Sequence, residues 1–293
     1  MFEGALTAMV TPFDKDGKID EEGLRENVKF QIKNGTHGLV PVGTTGECAT
    51  LSYDEHNHVI KVVVDAAKGK VPVLAGTGSN STWEAIMLTK HAKEVGADGA
   101  LLVVPYYNRP TQAGLYQHYK RLAEEVDLPQ VIYNIPSRTG VNMRPETMAK
   151  LAKLKNVVGV KEASGDLEQV ARIIGLTRDE NFTVISGDDS LTLEIMKRGG
   201  IGIISVTSNL VPDKVVKMVN SFRSGNVETA KRINDELAPL FKALFIETNP
   251  GPVKMAMNWM GMAAGGLRLP LVELEPENRK KMRKVLVDMG LVK

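Results

Sequence analysis

The sequence predicts an α/β protein, a (β/α)₈ TIM barrel with a C-terminal helical extension. Eight short apolar runs recur between residues 5 and 206, and helical patterns with recognisable ends lie between them. Near-continuous hydrophobicity over about five residues is typical of a strand whose two faces are both covered. Strands that alternate with helices pair in parallel, and eight such units close most naturally into a barrel.

The predicted strands start at intervals of about 18–33 residues, which is the spacing of βα units. They lie at residues 5–10, 38–42, 71–75, 100–104, 130–134, 157–161, 183–186 and 201–206. A doubly wound open sheet is the alternative arrangement for such strands. The first strand is not followed by the G-x-G-x-x-G motif found in many such sheets, and this favours the barrel.

The predicted helices are recognised by capping boxes and prolines in their first turns and by glycines after their last turns. The capping boxes are Ser52 with Glu55 and Ser81 with Glu84, the glycines are Gly69 and Gly96, and the prolines are Pro145 and Pro212.

Beyond residue 225 the strand signal ends, and only helical patterns follow. We therefore divide the chain into a (β/α)₈ catalytic barrel, residues 1–225, and a C-terminal helical region, residues 226–293. Pro239 is expected to kink or split the first helix of that region. The three helices are expected at residues 227–245, 253–260 and 276–289.

The composition is that of an ordinary globular protein, with 43% hydrophobic and 25% charged residues among 293. Lys and Arg number 37 against 35 Asp and Glu, without blocks of like charge, so nucleic acid and membranes are not expected as partners. No apolar run approaches the roughly 18 residues of a membrane span. Glu3 and Thr7 interrupt the N-terminal stretch, so we expect no secretory signal. The single cysteine, Cys48, excludes an intramolecular disulfide and favours a cytoplasmic location.

Lys161 ends the sixth predicted strand and is the only cation in that apolar run. In a parallel barrel the active site lies at the carboxyl ends of the strands. A lysine at such an end either extends to water or forms a Schiff base, and its position alone gives the two interpretations even weight. An ammonium in a dry pocket loses its proton readily, and the free amine attacks ketones.

Other polar residues follow neighbouring strands. Tyr133 ends the fifth strand, where a tyrosine more often packs than reacts, and Arg138 follows as either a solvated loop residue or a two-pronged carboxylate ligand. Thr44 and Thr45 lie between glycines after the second strand and offer hydroxyl and backbone donors to a ligand, although such sequences are also common as simple turns.

Metal and nucleotide chemistry find little support in the sequence, and we expect no cofactor. The glycine-rich loops lack the Gly-Lys-Ser/Thr of a phosphate-binding loop. His56 and His58 are two residues apart, which places them on different faces of a helix. Asp188 and Asp189 could bind magnesium, but an acidic pair in this position more often opens a helix. Cys48 has no histidine partner in the sequence and is interpreted as a small buried thiol.

Five segments taken together resemble the dihydrodipicolinate synthase family of pyruvate-dependent class I aldolases. They are GTTGE at 43–47, PYYN at 105–108, YNIPSRTG at 133–140, VKEA at 160–163 and SGDD at 186–189. The resemblance implies a homotetramer of barrels, a dimer of dimers. It also implies a lyase that condenses pyruvate with L-aspartate 4-semialdehyde through a lysine Schiff base. The reaction yields 4-hydroxy-tetrahydrodipicolinate and is the first committed step of lysine biosynthesis by the diaminopimelate pathway.

The same resemblance assigns catalytic roles to four residues. Lys161 is similar to the residue that forms the imine with pyruvate. Tyr133 is similar to the group that donates and accepts protons, relayed through Thr44 to Tyr107 of the neighbouring subunit. This assignment agrees with the chemistry, because carbinolamine dehydration and methyl deprotonation both need a proton shuttle beside the imine.

Four further residues resemble substrate contacts in the family. Thr45 and the backbone around Ile204 correspond to pyruvate contacts, and Gly187 leaves room beside them. Arg138 corresponds to the anchor for the carboxylate of the aldehyde substrate.

A regulatory site for L-lysine as effector is also implied by the resemblance. Its residues here are Cys48, Ala49, His56, Asn80, Glu84 and Tyr106. Cys48 stands where serine is usual, and Tyr53 stands where lysine-sensitive relatives often have histidine. Gly251 replaces a larger apolar residue that is usual in the family.

Two other functions remain open on the sequence. A 2-keto-3-deoxy sugar-acid or N-acetylneuraminate-type aldolase would share the lysine, but such enzymes usually lack the arginine at position 138 and have Ser-Thr in the loop that here contains Thr44 and Thr45. A non-catalytic barrel that only binds an amino acid is the alternative from another class, and the presence of Lys161 and Tyr133 argues against it.

Overall fold

The computed structural model describes residues 2–293 and confirms the TIM barrel. Eight parallel strands hydrogen-bond in the order β2-β1-β8-β7-β6-β5-β4-β3, and a parallel bridge between Leu39 and Val73 joins the two ends of the sheet. The strands are β1 Gly4–Ala8, β2 Gly38–Val40, β3 Leu74–Gly76, β4 Gly99–Val103, β5 Gln130–Asn134, β6 Val157–Glu162, β7 Thr183–Ser186 and β8 Gly202–Ser205.

The third strand starts three residues later than predicted. Pro72 has no N–H for the ladder, and its carbonyl accepts from the N–H of Leu39 on β2. The chain therefore enters the sheet after this proline, and regular pairing begins at Leu74.

Helices surround the barrel and continue beyond it. They are α1 Glu21–Lys33, α2 Tyr53–Ala67, α3 Thr82–Glu94, α4 Gln112–Glu125, α5 Pro136–Thr139, α6 Pro145–Leu151, α7 Leu167–Thr177, α8 Thr192–Lys197, α9 Pro212–Arg223, α10 Val227–Ala243, α11 Gly251–Trp259 and α12 Pro276–Asp288. Pro239 lies inside α10, which continues through it, so the predicted split does not occur. None of the helices within residues 2–293 is long and apolar enough to cross a membrane.

The two predicted capping boxes have different outcomes. Ser52 and Glu55 form the complete box at the start of α2. At the start of α3, Ser81 accepts from the N–H of Glu84, but the reciprocal bond is missing. Ser79 is the reason, because its hydroxyl accepts the N–H of Ser81 and donates to the Glu84 carboxylate.

The barrel interior is a separate apolar cluster that includes Leu6, Val131 and Ile204 and extends up to Tyr133 at the carboxyl end of β5. A second cluster joins the C-terminal helices to the barrel, since Ala5 of β1 shares it with residues of α10, α11 and α12. The C-terminal helices therefore pack directly on the barrel. This contact places α11 close to the loops at the carboxyl ends of the strands.

Candidate active site

Lys161 and Tyr133 face each other at the carboxyl ends of two adjacent strands. They are paired residues in the register of β5 and β6, and the Lys161 Nζ atom lies 4.1 Å from the centre of the Tyr133 ring. A small cavity of about 50 Å³ is lined by both residues and also by Thr44, Thr45 and Arg138. The structure thus brings five of the predicted site residues to one point.

Burial changes the acid–base properties of the lysine. Lys161 is only 6% exposed, and loss of hydration lowers its pKa from the ordinary 10.5 to about 7. The Asp189 carboxylate acts in the opposite direction, and the Arg138 guanidinium adds a smaller lowering. Lys161 therefore supplies a substantial fraction of free amine at neutral pH.

Tyr133 remains a neutral phenol at neutral pH. Burial raises its pKa to about 12, while the Arg138 cation and the Thr44 hydroxyl act in the opposite direction. A neutral phenol beside the amine can donate a proton without adding a charge that would hold Lys161 as an ammonium.

The loop after β2 presents Thr44 and Thr45 to the cavity. Its turn is closed by backbone bonds from Gly46 N–H to the Gly43 carbonyl and from Glu47 N–H to the Thr44 carbonyl. The Thr45 hydroxyl oxygen accepts a 2.9 Å hydrogen bond from Asn249 Nδ2. Because that bond occupies the oxygen as acceptor, the hydroxyl proton is free to be donated to a ligand.

Arg138 lies on the short helix α5 at the boundary of the site. One guanidinium nitrogen, Nη2, donates to the Asn249 carbonyl at 3.3 Å. The residue lines the small cavity and also an adjoining cavity of about 560 Å³. This position suits a second substrate larger than the one held at Lys161.

Gly187 and Ile204 differ in their relation to the cavity. Gly187 lines it, and a Cβ atom at this position would lie 2.8 Å from the Ala163 Cβ and 3.1 Å from the Lys161 side chain, so only glycine fits without displacement. Ile204 is buried within the barrel interior, and Val206 lines the cavity after it.

Tyr107 lies outside this cavity on the surface of the chain. It is 89% exposed, and its backbone is in the left-handed region, with φ 68°. Within one chain the structure does not place it in the small cavity with Thr44. The predicted relay therefore depends on a second copy of the chain.

A third cavity, of about 320 Å³, contains most of the predicted lysine site. Cys48, Ala49, His56, Glu84 and Tyr106 line it together with Tyr53, whereas Asn80 is not among its lining residues. The Asn80 carbonyl instead accepts from the Asn108 amide. Cys48 is partly exposed and not fully buried as predicted, and desolvation of its thiol raises its pKa to about 11, so the thiol stays protonated at neutral pH.

Asp189 has a role beyond the magnesium-binding and helix-opening interpretations considered above. Its buried carboxylate accepts from the Ser205 hydroxyl and from the N–H groups of Val206 and Thr207, and so fixes the end of β8. Asp188, by contrast, caps the short 3₁₀ turn that follows, as the helix-opening interpretation expects. No group of three or more potential metal ligands occurs in the described residues, 2–293.

Two other contributions come from the C-terminal region and were also not predicted. Asn249 contacts both Thr45 and Arg138, as described above. Lys254 forms a buried ion pair with Glu47, the last residue of the GTTGE segment. The sequence offers no signal for these contacts, because the partners lie more than 100 positions apart.

Comparison with known sequences agrees with this geometry. The family model described as the dihydrodipicolinate synthetase family matches residues 1–289. A 4-hydroxy-tetrahydrodipicolinate synthase of Syntrophus aciditrophicus (strain SB) is 56% identical over 292 residues, covering all of both chains. A protein of the same name from Methanothrix thermoacetophila is 54% identical over 99% of this chain and 98% of its own.

Solved structures of the same family share the fold over nearly the whole chain. The chloride-inhibited dihydrodipicolinate synthase of Acinetobacter baumannii, complexed with pyruvate, superposes with a TM-score of 0.97, 45% identity and full coverage of both chains. The enzyme of Cyanidioschyzon merolae with lysine bound superposes with a TM-score of 0.95 and 42% identity over 99% of each chain. The fold, the order of the motifs and these matches lead to one conclusion. The chain belongs to the dihydrodipicolinate synthetase family.

Proposed function

We propose that this chain is a lyase that condenses pyruvate with L-aspartate 4-semialdehyde to 4-hydroxy-tetrahydrodipicolinate, the first committed step of lysine biosynthesis by the diaminopimelate pathway. The observation that carries the proposal is the buried amine of Lys161, which lies over the ring of Tyr133 at the end of β6. The names of the relatives support the same reaction.

In the first step the free amine of Lys161 attacks the ketone carbon of pyruvate. The carbinolamine that forms loses water as Tyr133 delivers a proton to the departing hydroxyl, and an imine remains. Loss of a methyl proton then gives an enamine. Thr44, beside Tyr133, passes protons onward, and Tyr107 from a second copy completes the relay.

The second step joins the two substrates. The enamine carbon attacks the aldehyde carbon, and the aldehyde oxygen gains a proton and becomes the hydroxyl of the product. The amino group of the former aldehyde then attacks the imine carbon and displaces Lys161 as a free amine. One water is released in the whole sequence, at the carbinolamine.

Substrate binding is assigned to groups around the same cavity. The Thr45 hydroxyl and the backbone near Ile204 hold the pyruvate carboxylate, and Gly187 leaves space for the methyl end. Arg138 lies at the wider cavity and binds the carboxylate of the semialdehyde. The reaction needs no metal or organic cofactor, because the protonated imine formed by Lys161 and pyruvate is itself the electron sink.

Assembly into a homotetramer is part of the proposal. Tyr107 is 89% exposed in one chain, and Trp83 and Leu269 are also large apolar residues exposed to more than two thirds. An exposed tyrosine that is needed for a proton relay requires a neighbouring copy to bring it into place. A protein of this kind, with one protonated thiol at Cys48, fits a cytoplasmic location.

L-Lysine is proposed as an effector at the 320 Å³ cavity. Glu84 supplies a carboxylate for an ammonium group, and Tyr106 supplies an aromatic wall. The relative from Cyanidioschyzon merolae has lysine bound, which supports L-lysine as a ligand. The Cys48 thiol is a weaker hydrogen-bonding group than a serine hydroxyl, so the affinity is expected to be low.

The decisive experiment is a coupled assay of pyruvate with several aldehydes, including L-aspartate 4-semialdehyde and N-acetylmannosamine. We expect turnover with the semialdehyde and little with the sugar. Efficient use of N-acetylmannosamine would replace the proposal with a sugar-acid aldolase. A folded protein that traps no pyruvate under borohydride would instead be a binding barrel without catalysis.

A further inference from the structure

We propose that the buried pair of Glu47 and Lys254 is a positioning device for the pyruvate-binding loop, and that the C-terminal helix α11 thereby controls the geometry of catalysis. The Lys254 Nζ atom lies 2.6 Å from Glu47 Oε1, and the two side chains are 1% and 0% exposed. The inference rests on the proposed function, since it concerns the loop of Thr44 and Thr45.

The pair is joined to the backbone around this loop on several sides. Lys254 also donates to the Thr11 carbonyl at 3.0 Å, and the Thr11 hydroxyl donates to the Gly46 carbonyl at 2.7 Å. The second carboxylate oxygen of Glu47 accepts from the backbone N–H of Arg268 at 3.1 Å. One network therefore holds the loop: Lys254 of α11 contacts Glu47 directly and is linked to Gly46 through Thr11.

Glu47 acts directly on the backbone of a proposed catalytic residue. Its own N–H donates to the Thr44 carbonyl at 3.1 Å. Its backbone is left-handed, with φ 55°, which a residue with a side chain adopts only when its surroundings impose it. The two bonds to the carboxylate supply that constraint, so release of the carboxylate would let the turn relax and would move Thr44.

Stability alone does not account for two buried charges at this point. A buried ion pair loses most of its attraction to the cost of dehydration, and a well-packed apolar pair is often as stable. The Lys254 ammonium also lies 4.2 Å from the centre of the apolar Phe13 ring. A charge-assisted hydrogen bond does, however, fix the orientation of the Glu47 side chain as well as its distance from Lys254. A turn that must aim the Thr44 and Thr45 hydroxyls at a ligand requires a fixed orientation.

The helix reaches the loop at a second point. Asn249, just before α11, donates to the Thr45 hydroxyl at 2.9 Å, while Lys254, within α11, holds Glu47. The same segment thus contacts the loop directly at Thr45 and at Glu47, and Glu47 in turn is bonded to the Thr44 carbonyl through its own N–H. A shift of this segment would displace the pyruvate contact and the relay hydroxyl together.

Three variants separate positioning from stability: Lys254→Met, Glu47→Gln and the double variant with both changes. Each single change leaves one polar partner buried and unmatched, so thermal unfolding should occur at a lower temperature. The double variant removes both charges at nearly constant volume and should regain most of the unfolding temperature. Because loop misplacement of about 1 Å can cost roughly 10²-fold in rate, we expect kcat/KM for pyruvate to stay about 10²-fold low in all three.

The KM for the semialdehyde separates a local effect on the loop from general destabilisation, because general destabilisation would change this KM as well. Arg138 lies on α5 and, in the described part of the chain, makes no hydrogen bond to the pair; its only link to the segment is the 3.3 Å bond from Nη2 to the Asn249 carbonyl, so this KM should change less than kcat/KM for pyruvate. A matched control is the double change Lys214→Met with Glu236→Gln, which removes the exposed ion pair between α9 and α10 and should leave kinetics at the parent level.

Two results would overturn the inference. A double variant with parent-like kinetics would show that the charges do not position the loop, and a double variant that fails to fold would assign the pair to stability. Failure of the proposed function is distinguishable, because the parent protein itself would then neither trap pyruvate nor turn over the semialdehyde.

Discussion

Imine formation between pyruvate and Lys161 is expected to follow a titration near pH 7, because only the free amine is a nucleophile. Burial lowers the pKa of Lys161 from 10.5 to about 7. At pH 7 about half of the lysine is then uncharged, compared with roughly one part in 3,000 for an ordinary lysine. The pocket therefore raises the reactive fraction by about 10³-fold.

The assay measures the initial rate of adduct formation at subsaturating pyruvate from about pH 5.5 to about pH 9.5, a range that brackets this pKa. Samples are quenched with borohydride, and the reduced adduct is located and quantified by mass spectrometry. Lys161→Arg is the control for site specificity, because a guanidinium keeps its proton and forms no imine.

Asp189→Asn tests the cause of the pKa. The Asp189 carboxylate favours the ammonium form of Lys161, so its neutralisation should lower the pKa and move the midpoint to lower pH. The amide oxygen can accept from the N–H groups of Val206 and Thr207 while the amide nitrogen donates to the Ser205 oxygen, so the unfolding temperature of this variant is measured as a control for the end of β8. A parent midpoint above pH 9 would be incompatible with the dry pocket, as would an Asp189→Asn midpoint shifted upward or an adduct on another lysine.

Other outcomes follow from the same site. Lys161→Met should abolish imine trapping and raise the unfolding temperature. The native lysine binds its proton less tightly than the unfolded one, and this costs the folded state up to ~4 kcal/mol at pH 7, a cost that is fully present below pH 7 and fades towards pH 10.5. An unchanged or lower unfolding temperature would argue against a lowered pKa of Lys161. Tyr133→Phe and Thr44→Val should each lower turnover by roughly 10²–10⁴-fold with little change in unfolding temperature, and near-normal turnover would remove that hydroxyl from the mechanism. Arg138→Ala should raise the KM for the semialdehyde while borohydride still traps pyruvate, and lost trapping in a folded variant would refute its assignment. L-Lysine should bind in the millimolar range and inhibit partially, and Glu84→Ala should weaken this binding in a calorimetric titration, whereas unchanged binding would show that the effector site lies elsewhere.

The barrel could be predicted because its information is local. Each buried strand is a short apolar run, and each intervening helix has its own start and stop residues, as Ser52 and Pro145 illustrate. The position of Lys161 at a strand end follows from the same pattern, since the carboxyl ends of all eight strands meet at one face. Its role, and that of Tyr133, came from resemblance to a family, because the residues alone left solvation equally open for Lys161 and favoured packing for Tyr133.

The support around the site could not be predicted, because it depends on contacts between distant parts of the chain. Glu47 and Lys254 are 207 positions apart, and each is an unremarkable charged residue in its own segment. Asp189 is similar, since its burial depends on hydrogen bonds to the end of β8 rather than on its acidic neighbour. The half-formed capping box at Ser81 shows the same limit at short range, where Ser79 competes for the expected bond.

The cavity at Lys161 and the 320 Å³ cavity have four wall residues in common: Thr44, Ile135, Arg138 and Asn249. A molecule in either cavity therefore meets side chains that a molecule in the other also meets, and we expect the two binding free energies to be coupled. Thermodynamic reciprocity then fixes their relation: if L-lysine weakens the binding of pyruvate by some factor, pyruvate must weaken the binding of L-lysine by the same factor. The concentration of pyruvate would consequently set how much L-lysine is needed to slow the enzyme, so that the response reflects the supply of precursor as well as the level of end product.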